Sequence, residues 1–355
     1  MPDQFASLVN DMTAKARGAA RLLASASDAA KADALRRAAA HLRGSQSDIL
    51  AANALDMAAG KANGLSAAML DRLMLNVDRL EGVARAVEQV ASLGDPVGAI
   101  IDETRPPNGL VLTRVRVPVG VIAIIYESRP NVTADAAAIA LRSGNDVILR
   151  GGTEAVNSNR AIYAAIVAGI EEAGLPADAV QFVPTQDRAV VGELLRAQGQ
   201  IDMVIPRGGK SLVQRVQDEA RVPVLAHLDG ICHTYVHASA DPAMAEAIAV
   251  NAKMRRTGIC GSLETLLIDH DYPEPARLIG ALIDAGCEVR ADDMLMELDP
   301  RTVAAEESDW GTEYLDTVIS AKMVSGVDGA VAHIAQYGSQ QIGRASCRER
   351  VLMPV

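Results

Sequence analysis

From Pro118 onward, short apolar runs alternate with segments of helical composition. The run GVIAIIY at 120–126 predicts a buried strand, residues 132–143 a helix, 146–150 a second strand and 157–173 a second helix. Strands joined by helices of this length form βαβ units, in which neighbouring strands are parallel and the crossover is right-handed. The sequence therefore predicts an α/β protein built on parallel sheets.

This alternation extends over most of the remaining chain and predicts two domains. The further predicted elements are strands at 179–183, 201–206, 231–238, 263–269, 288–291 and 316–324 and helices at 187–197, 210–220, 242–254, 274–286 and 327–336. The second strand set begins after a boundary that we place near 227–230. We expect a cofactor-binding domain over 1–228 and a catalytic domain over 229–341.

Two different patterns precede Pro118. Residues 1–93 are dominated by alanine and leucine and are predicted to be helical. The predicted helix starts and breaks are Asp28, Gly44, Ser47, Gly60 and Gly64. The β-type runs 97–104 and 110–117 flank the turn RPPNG and predict a hairpin, whose charges leave at least one face exposed or available for association.

The overall charge and composition narrow the class of partner. The chain has 355 residues, 49% of them hydrophobic, and a formal net charge of -11. Nucleic acid and anionic membranes call for a basic surface, so neither is expected as the main partner. No run approaches the ~20 apolar residues of a membrane helix. The start lacks a signal-peptide pattern and the cysteines form no C-x-x-C pair, so we expect a reducing, cytoplasmic location.

The last residues differ in character from the rest. From Ile342 the chain reads IGRASCRERVLMPV, and IGRASCRERV is similar to a translated reading frame of a short-read sequencing adapter. We therefore expect that the natural sequence departs from this one near Gln341 and that 342–355 is a foreign tail. The alternative is a genuine basic segment. The genomic sequence beyond codon 341 distinguishes the two.

Paired glycines follow two predicted strands, although no G-x-G-x-x-G fingerprint is present. The segments are ILRGGTEA at 148–155 and VIPRGGKS at 204–211, and each places a cation beside Gly-Gly where a strand turns toward a helix. Such turns let backbone amides approach an anion. The second segment is not a P-loop, because that motif requires glycine where Val204 stands. Ordinary tight turns are the alternative, but two such loops favour a nucleotide.

The segment HLDGICHTYVH is rich in metal-capable side chains. It contains His227, Cys232, His233 and His237. The run is predicted to be a strand, so Cys232 and His233 should point to opposite faces. We therefore expect no metal site.

Two further loops carry groups suited to acyl chemistry. In YESRPNVTADA, Asn131 could donate its amide N–H to a developing oxyanion, or it could be a helix N-cap. In NAKMRRTGICGS, Cys260 lies among small residues after a segment with three cations. Nearby cations favour the reactive thiolate, whereas a small buried thiol is the alternative.

The segments VPVGVIAIIYESRPNVTADAAAIALRSGNDVILRGGTEA, IDMVIPRGGKSL and NAKMRRTGICGSLETLLID together resemble the gamma-glutamyl phosphate reductase family of the aldehyde dehydrogenase superfamily. The resemblance runs to about Gln341 and implies an aldehyde dehydrogenase-like fold with a β-hairpin association arm at 97–117. It also implies that Cys260 is the nucleophile and that Asn131, with the Cys260 amide, forms the oxyanion hole. The cofactor-binding residues that it implies are Arg150, Gly151, Gly152, Thr153 and Glu154 for the adenosine ribose and Gly208 and Gly209 for the pyrophosphate.

The family resemblance further implies a reaction, in which NADPH reduces L-glutamyl 5-phosphate to L-glutamate 5-semialdehyde and phosphate through a cysteine thioester. This is the second step of proline biosynthesis from glutamate. Candidates for holding phosphate or carboxylate are Arg129, Lys253, Arg255 and Arg256, whose alternative role is that of solvated surface cations. A homo-oligomer and a contact with glutamate 5-kinase are also expected.

Other interpretations stay open at this point. One is another NAD(P)-dependent aldehyde dehydrogenase that hydrolyses its thioester, and another is a non-catalytic nucleotide-binding protein. Family members continue past the position of Gln341, so we also expect an incomplete catalytic domain that is inactive or poorly folded.

Overall fold

The computed structural model describes residues 2–127, 129–226, 229–339, 346–348 and 351–353; the predicted boundary residues His227 and Leu228 lie outside them. The chain separates into two compact units, Met1–Ala226 and His227–Val355. Each unit contains its own parallel sheet and its own apolar core.

The N-terminal part of the first unit is helical, which confirms the prediction for 1–93. It contains α1 (Pro2–Ala24), α2 (Asp28–Gly44), α3 (Gln46–Ala62), α4 (Ala67–Leu73) and α5 (Val77–Ser92). Helix α2 begins at Asp28 because the Ser27 hydroxyl accepts a hydrogen bond from the Ala30 amide at 3.2 Å. The predicted break at Gly60 is wrong: Gly60 lies inside α3, where a Cβ would come within 2.9 Å of Leu65 Cδ1.

A two-stranded antiparallel hairpin follows these helices. Its strands are β1 (Ile100–Thr104) and β2 (Leu112–Val115), which are shorter than the predicted runs. Nearly every residue of both strands is exposed, including Ile100 at 66% and Leu112 at 52%. The hairpin therefore extends apolar side chains into solvent.

The rest of the first unit forms a four-stranded sheet with strand order β5-β4-β3-β6. In chain order its elements are β3 (Val121–Tyr126), α6 (Asn131–Arg142), β4 (Asp146–Arg150), α7 (Val156–Glu172), β5 (Val180–Phe182), α8 (Ala189–Arg196), β6 (Met203–Arg207) and α9 (Lys210–Glu219). All neighbouring strands are parallel. The predicted alternation of parallel strands and helices is confirmed. Strands β3 and β4 are buried along their whole length, as expected for a sheet covered on both faces.

The alternation along β3 divides the core into two layers. Ile122, Ile124 and Tyr126 pack with helices α2, α5, α6 and α7 on one face, whereas Val121 and Ala123 pack with α1 and α8 on the other. The loops after β3, β4 and β6 consequently leave the same edge of one sheet, because Ile125 is registered with Arg150 and Tyr126 with Arg207.

The second unit repeats the alternation of strand and helix. Its elements are β7 (Cys232–Val236), α10 (Pro242–Met254), β8 (Leu263–Asp269), α11 (Pro275–Asp284), β9 (Glu288–Ala291), α12 (Asp293–Leu298), β10 (Val303–Ala304), β11 (Val318–Val324) and α13 (Gly326–Tyr337). Strands β10, β9, β11, β8 and β7 are parallel neighbours in that order. The predicted bounds of α10, β8 and β9 are confirmed, whereas α12 and β10 were not predicted.

Two short strands follow, β12 (Ser346–Arg348) and β13 (Val351–Met353). Strand β13 pairs antiparallel with β7, at the positions of Val351 with Val236 and Leu352 with Tyr235, and β12 pairs with β13. The other residues of the predicted foreign tail lie outside the described ranges. Within those ranges, no helix is both long and apolar enough to cross a bilayer.

Candidate active site

The second unit presents Cys260 in the loop between α10 and β8. Cys260 is free and exposed, whereas Cys232 is half-buried and Cys287 is buried. Burial raises the pKa of the Cys232 thiol and of the Cys287 thiol to about 11. Of the three cysteines whose side chains the structure describes, Cys260 is therefore the one that a solvent-borne electrophile can reach. The alternative of a buried thiol does not hold for Cys260.

The Cys260 loop is attached to its surroundings by several contacts. The Cys232 thiol donates to the Cys260 carbonyl at 3.3 Å, and the Ser262 amide donates to the Ile259 carbonyl at 3.0 Å. The Ser262 hydroxyl donates to the carbonyl of Lys253 at 3.3 Å. These bonds define a tight turn that leaves the thiol side open.

Lys253, predicted as a substrate-binding cation, is buried in the second unit. Its side chain has 0% exposure and its Nζ is 2.8 Å from Glu264 Oε2, whose side chain is also fully buried. An ammonium group enclosed in this way cannot present its charge to a substrate, so the structure contradicts this prediction. Arg255 and Arg256, the two other predicted cations of this segment, are exposed.

In the first unit, Asn131 is the first residue of α6, after the short loop that follows β3. Its side chain is half-buried, and Nδ2 donates to Asp135 Oδ2 at 2.9 Å. Pro130 occupies the N-cap position, so the alternative role of Asn131 as a capping residue is not observed. The amide group has a second N–H. Arg129, the predicted substrate cation in this loop, is exposed.

The loop after β4 is organised by Arg150. The guanidinium donates through Nη1 to the Gly151 carbonyl and through Nη2 to the Gln186 carbonyl, both at 3.0 Å. Arg150 is only 8% exposed, and burial lowers its pKa. The Arg150 guanidinium is therefore bound to two backbone carbonyls and holds the loop in shape.

The glycines of this loop lie close to neighbouring side chains. A Cβ on Gly151 would collide with Asn159 Nδ2, and a Cβ on Gly152 would lie 2.7 Å from Glu154 Oε1. Behind Gly151, the Tyr126 and Thr133 hydroxyls are 2.7 Å apart and Thr133 donates to Asn159 Oδ1 at 3.1 Å. Thr153 is exposed and Glu154 half-buried. The predicted ribose loop is thus a rigid backbone turn with two polar side chains at its rim.

The loop after β6 contains Gly208 and Gly209, just before α9 begins at Lys210. The Gly209 amide donates to Glu127 Oε2 at 2.9 Å, and a Cβ on Gly208 would come within 2.6 Å of the same oxygen. A carboxylate therefore lies at the amide predicted for the pyrophosphate. The segment YESRPNVTADA contains Glu127, but its sequence gives no sign of this contact with a glycine 82 positions away.

In the first unit, the loops that carry Asn131, Gly151 and Gly208 leave one edge of a parallel sheet, the edge where open α/β sheets bind ligands. The backbone amides and glycines at this edge suit an anionic nucleotide. Among the described residues, no group of three or more His, Cys, Asp or Glu side chains is placed to hold a metal ion. His233, from the metal-capable segment, is buried and contacts the Ile231 carbonyl through Nδ1 at 2.9 Å.

Comparisons with known proteins identify relatives of this chain. Residues 1–303 match the family model described as the aldehyde dehydrogenase family. The chain is 63% identical over 337 residues to gamma-glutamyl phosphate reductase of Novosphingobium aromaticivorans, covering 95% of this chain and 79% of the relative. It is 58% identical to that of Zymomonas mobilis over 330 residues, with coverage of 92% and 77%.

Solved structures agree with these sequence relatives. The crystal structure of gamma-glutamyl phosphate reductase from Thermotoga maritima has a TM-score of 0.89 at 40% identity, covering 93% of this chain and 80% of that one. An acetylating aldehyde dehydrogenase from Geobacillus thermoglucosidasius has a TM-score of 0.63 at 17% identity, with coverage of 95% and 80%, and supports the fold alone. The resemblance and the fold class inferred from the sequence are confirmed.

Proposed function

The chain belongs to the gamma-glutamyl phosphate reductase family within the aldehyde dehydrogenase family, and from this premise we propose that it reduces L-glutamyl 5-phosphate to L-glutamate 5-semialdehyde with NADPH. Membership makes it an oxidoreductase that uses a nicotinamide cofactor. The preference for NADPH, the cysteine thioester and the place in proline biosynthesis are parts of the proposal. The single observation that carries the chemistry is the exposed thiol of Cys260.

Cys260 begins the proposed reaction as a thiolate that attacks the acyl carbon of the substrate. The carbonyl electrons move onto oxygen, and the resulting oxyanion needs hydrogen-bond donors. We assign this donation to the second amide N–H of Asn131 and to the backbone N–H of Cys260. When the oxyanion collapses, the acyl–phosphate bond breaks, phosphate leaves and a thioester on Cys260 remains.

The second half of the reaction releases the aldehyde from Cys260. When bound, NADPH supplies the hydride that reduces the thioester carbonyl. Hydride addition leaves a negatively charged oxygen on the carbon bound to Cys260. When its electrons re-form the carbonyl, the carbon–sulfur bond breaks, which returns the Cys260 thiolate and frees the aldehyde. Because phosphate is a good leaving group, this scheme needs no strong general base at the first step.

Binding of the cofactor is assigned to the sheet edge of the first unit. We assign the ribose hydroxyls to the rim residues Thr153 and Glu154 and the pyrophosphate to the amides near Gly208 and Gly209. The support for this assignment is that the loops carrying Gly151 and Gly208 leave the same edge of a parallel sheet, the edge where open α/β sheets bind ligands. Of the predicted substrate cations, Arg129, Arg255 and Arg256 are exposed and remain candidates for the phosphate or carboxylate.

Phosphate-dependent reduction of NADP⁺ with L-glutamate 5-semialdehyde tests the proposal in the reverse direction. Turnover that requires inorganic phosphate and that is lost in Cys260→Ala but retained in Cys287→Ala would support the proposal. Turnover without phosphate would favour an aldehyde dehydrogenase that hydrolyses its thioester. Absence of turnover together with rapid alkylation of Cys260 would favour the alternative of an inactive chain, and an unreactive Cys260 would favour a non-catalytic nucleotide-binding protein.

A further inference from the structure

A buried ion pair lies at the base of the loop that carries Cys260. Lys253 is in the last turn of α10 and Glu264 is the second residue of β8, and both side chains are at 0% exposure with Nζ and Oε2 separated by 2.8 Å. Charged side chains are almost never fully buried unless paired, because each loses its hydration. One partner of this pair precedes the Cys260 loop and the other follows it. A charged pair buried at this position therefore calls for a functional explanation.

The pair closes the loop together with a second contact. Lys253 and Glu264 are separated by eleven positions, and Cys260 lies between them. The Ser262 hydroxyl donates to the Lys253 carbonyl at 3.3 Å, so the backbone of the same lysine is also tied to the far end of the loop. The end of α10 and the start of β8 are thus joined through both the side chain and the main chain of Lys253.

A third segment braces Glu264 from the other side. Glu264 Oε1 accepts from the Leu315 amide at 3.3 Å, and Leu315 has a φ of 52°, in the left-handed region that a branched side chain rarely adopts. The adjoining Tyr314 ring lies with its centroid 5.9 Å from Lys253 Nζ. A strained backbone persists only where its surroundings hold it. The Leu315 backbone and the Glu264 carboxylate therefore fix each other's position.

The Tyr314 side chain is itself anchored. Its hydroxyl donates to Asp309 Oδ1 at 3.0 Å, and Arg290 Nη1 donates to the same oxygen at 2.7 Å. The base of the Cys260 loop is therefore connected to β9, where Arg290 lies, through a continuous set of polar contacts.

The charges of Lys253 and Glu264 also affect the pKa values of the Cys232 and Cys287 thiols. Burial is the main cause of the raised pKa of Cys232, and Cys260, Glu264 and Glu313 raise it further. Burial also raises the pKa of Cys287, which Lys253 lowers and Glu264 raises. The Cys232 thiol contacts the Cys260 carbonyl. Lys253 therefore neutralises a carboxylate whose field would otherwise oppose a thiolate in this region.

We propose that the Lys253–Glu264 ion pair is a positioning device that holds the Cys260 loop in the geometry needed for attack on the acyl carbon. The inference rests on the proposed role of Cys260 as nucleophile. It gives Lys253 a role that differs from the predicted substrate contact, and it adds Glu264, which no motif had indicated.

The test uses Lys253→Met and Glu264→Gln in the full chain, with alkylation of Cys260 by iodoacetamide followed from pH 6 to 10 by mass spectrometry. We expect the alkylation rate at pH 8 to fall by at least about tenfold in Lys253→Met, because the Glu264 carboxylate, left without its buried counter-charge, opposes formation of the reactive thiolate. We also expect the midpoint of the pH profile to move upward in Lys253→Met and not in Glu264→Gln. Where turnover is measurable, kcat should fall more than KM rises.

The matched control is Arg277→Met, which removes an exposed ion pair to Glu246 on the same helix α10. Its alkylation profile should equal that of the parent chain. If the single variants do not fold, Lys253→Met/Glu264→Met replaces the pair by apolar side chains of similar length, which buried pairs often tolerate. Because the double variant also removes the carboxylate, a folded protein that alkylates Cys260 more slowly at an unshifted pH midpoint supports the proposal.

Variants that fold and alkylate Cys260 with the parent rate and pH midpoint would overturn the positioning role. This outcome is separate from the proposed reaction, because alkylation requires neither glutamyl phosphate nor cofactor. A parent chain with rapid alkylation but no phosphate-dependent turnover would refute the proposed reaction and leave the positioning role standing.

Discussion

Glu127 Oε2 accepts a hydrogen bond from the Gly209 amide at 2.9 Å, at the N-terminus of α9. The Glu127 amide in turn donates to the Arg207 carbonyl at 3.2 Å. The main chain of Glu127 is thus bound to the last residue of β6, and its carboxylate is bound to the loop that follows. A carboxylate at a helix N-terminus is stabilised by the same amides that bind phosphate. Glu127 and the cofactor pyrophosphate should therefore compete for this position.

The first prediction follows from this competition. Replacing Glu127 by Gln should tighten NADP⁺ binding by roughly fivefold, because removal of the negative charge changes a competing contact by about 1 kcal/mol at an exposed position. Titration calorimetry measures the dissociation constant directly. Glu193→Gln, which loses an exposed ion pair with Arg196 instead, should leave it unchanged. Weaker binding in Glu127→Gln would show that the carboxylate contacts the cofactor rather than competing with it.

The second prediction concerns Asn131. Its Nδ2 already donates to Asp135 Oδ2, so the amide is oriented before any substrate arrives. Asn131→Ala should lower kcat by about 10²–10³-fold, the usual effect of losing one oxyanion-hole donor, with little change in KM. Steady-state kinetics of phosphate-dependent NADP⁺ reduction provides both constants. A rise in KM alone would assign Asn131 to substrate binding, and Asn108→Ala on the hairpin serves as the control.

Much of the fold could be predicted because its signals are local. The apolar run of β3 and the glycine pair after β4 are readable within a few residues, and the bounds of α10, β8 and β9 were predicted as the structure has them. Short elements such as α12 and β10 were missed because six and two residues carry little periodicity. Gly60 was misread as a break because its requirement is close packing against Leu65, which the local sequence does not show.

The site was less predictable, since its decisive contacts join distant parts of the chain. Cys260 and Asn131 could be named from their loops. The partner of Lys253 depends on how α10 packs against β8, and the contact of Glu127 with Gly209 spans 82 positions. A cation in a sequence indicates charge but not whether that charge is solvated, shared or enclosed. For that reason Arg150 and Lys253 were both predicted as ligand contacts although each is buried.

The third prediction concerns Asp146, at the start of β4. Both of its carboxyl oxygens are buried without a hydrogen-bond partner, and burial raises its pKa to about 9, with repulsion from Asp178 adding to the effect. The folded-state pKa of Asp146 lies above the ordinary value of about 4. The contribution of the protonated Asp146 side chain to the free energy of unfolding is therefore complete below pH 4 and is lost as the pH rises to about 9. Within this window the group lowers the free energy of unfolding by about 1.4 kcal/mol per pH unit.

Asp146→Asn should remove this slope, because an amide does not titrate. Urea unfolding of the parent chain and the variant at pH 5, 6, 7 and 8 measures it, and the difference between the two free energies should grow with pH. Asp187→Asn, at an exposed position, should retain the parent slope. Parallel pH profiles for the parent chain and Asp146→Asn would show that Asp146 is ionised in the folded protein.

The last prediction concerns the hairpin of β1 and β2, which the sequence resemblance implies to be an association arm. Ile100, Ile101 and Leu112 are between 51% and 66% exposed, an arrangement that is unfavourable in water unless another surface covers it. We expect a homo-oligomer that Ile101→Asp/Leu112→Asp shifts toward the monomer, since both charges would be buried in the contact. Light scattering after size exclusion measures the mass. Ile139→Asp, which changes a 59% exposed residue on α6, should retain the parent mass. A hairpin variant of unchanged mass would assign association to another surface.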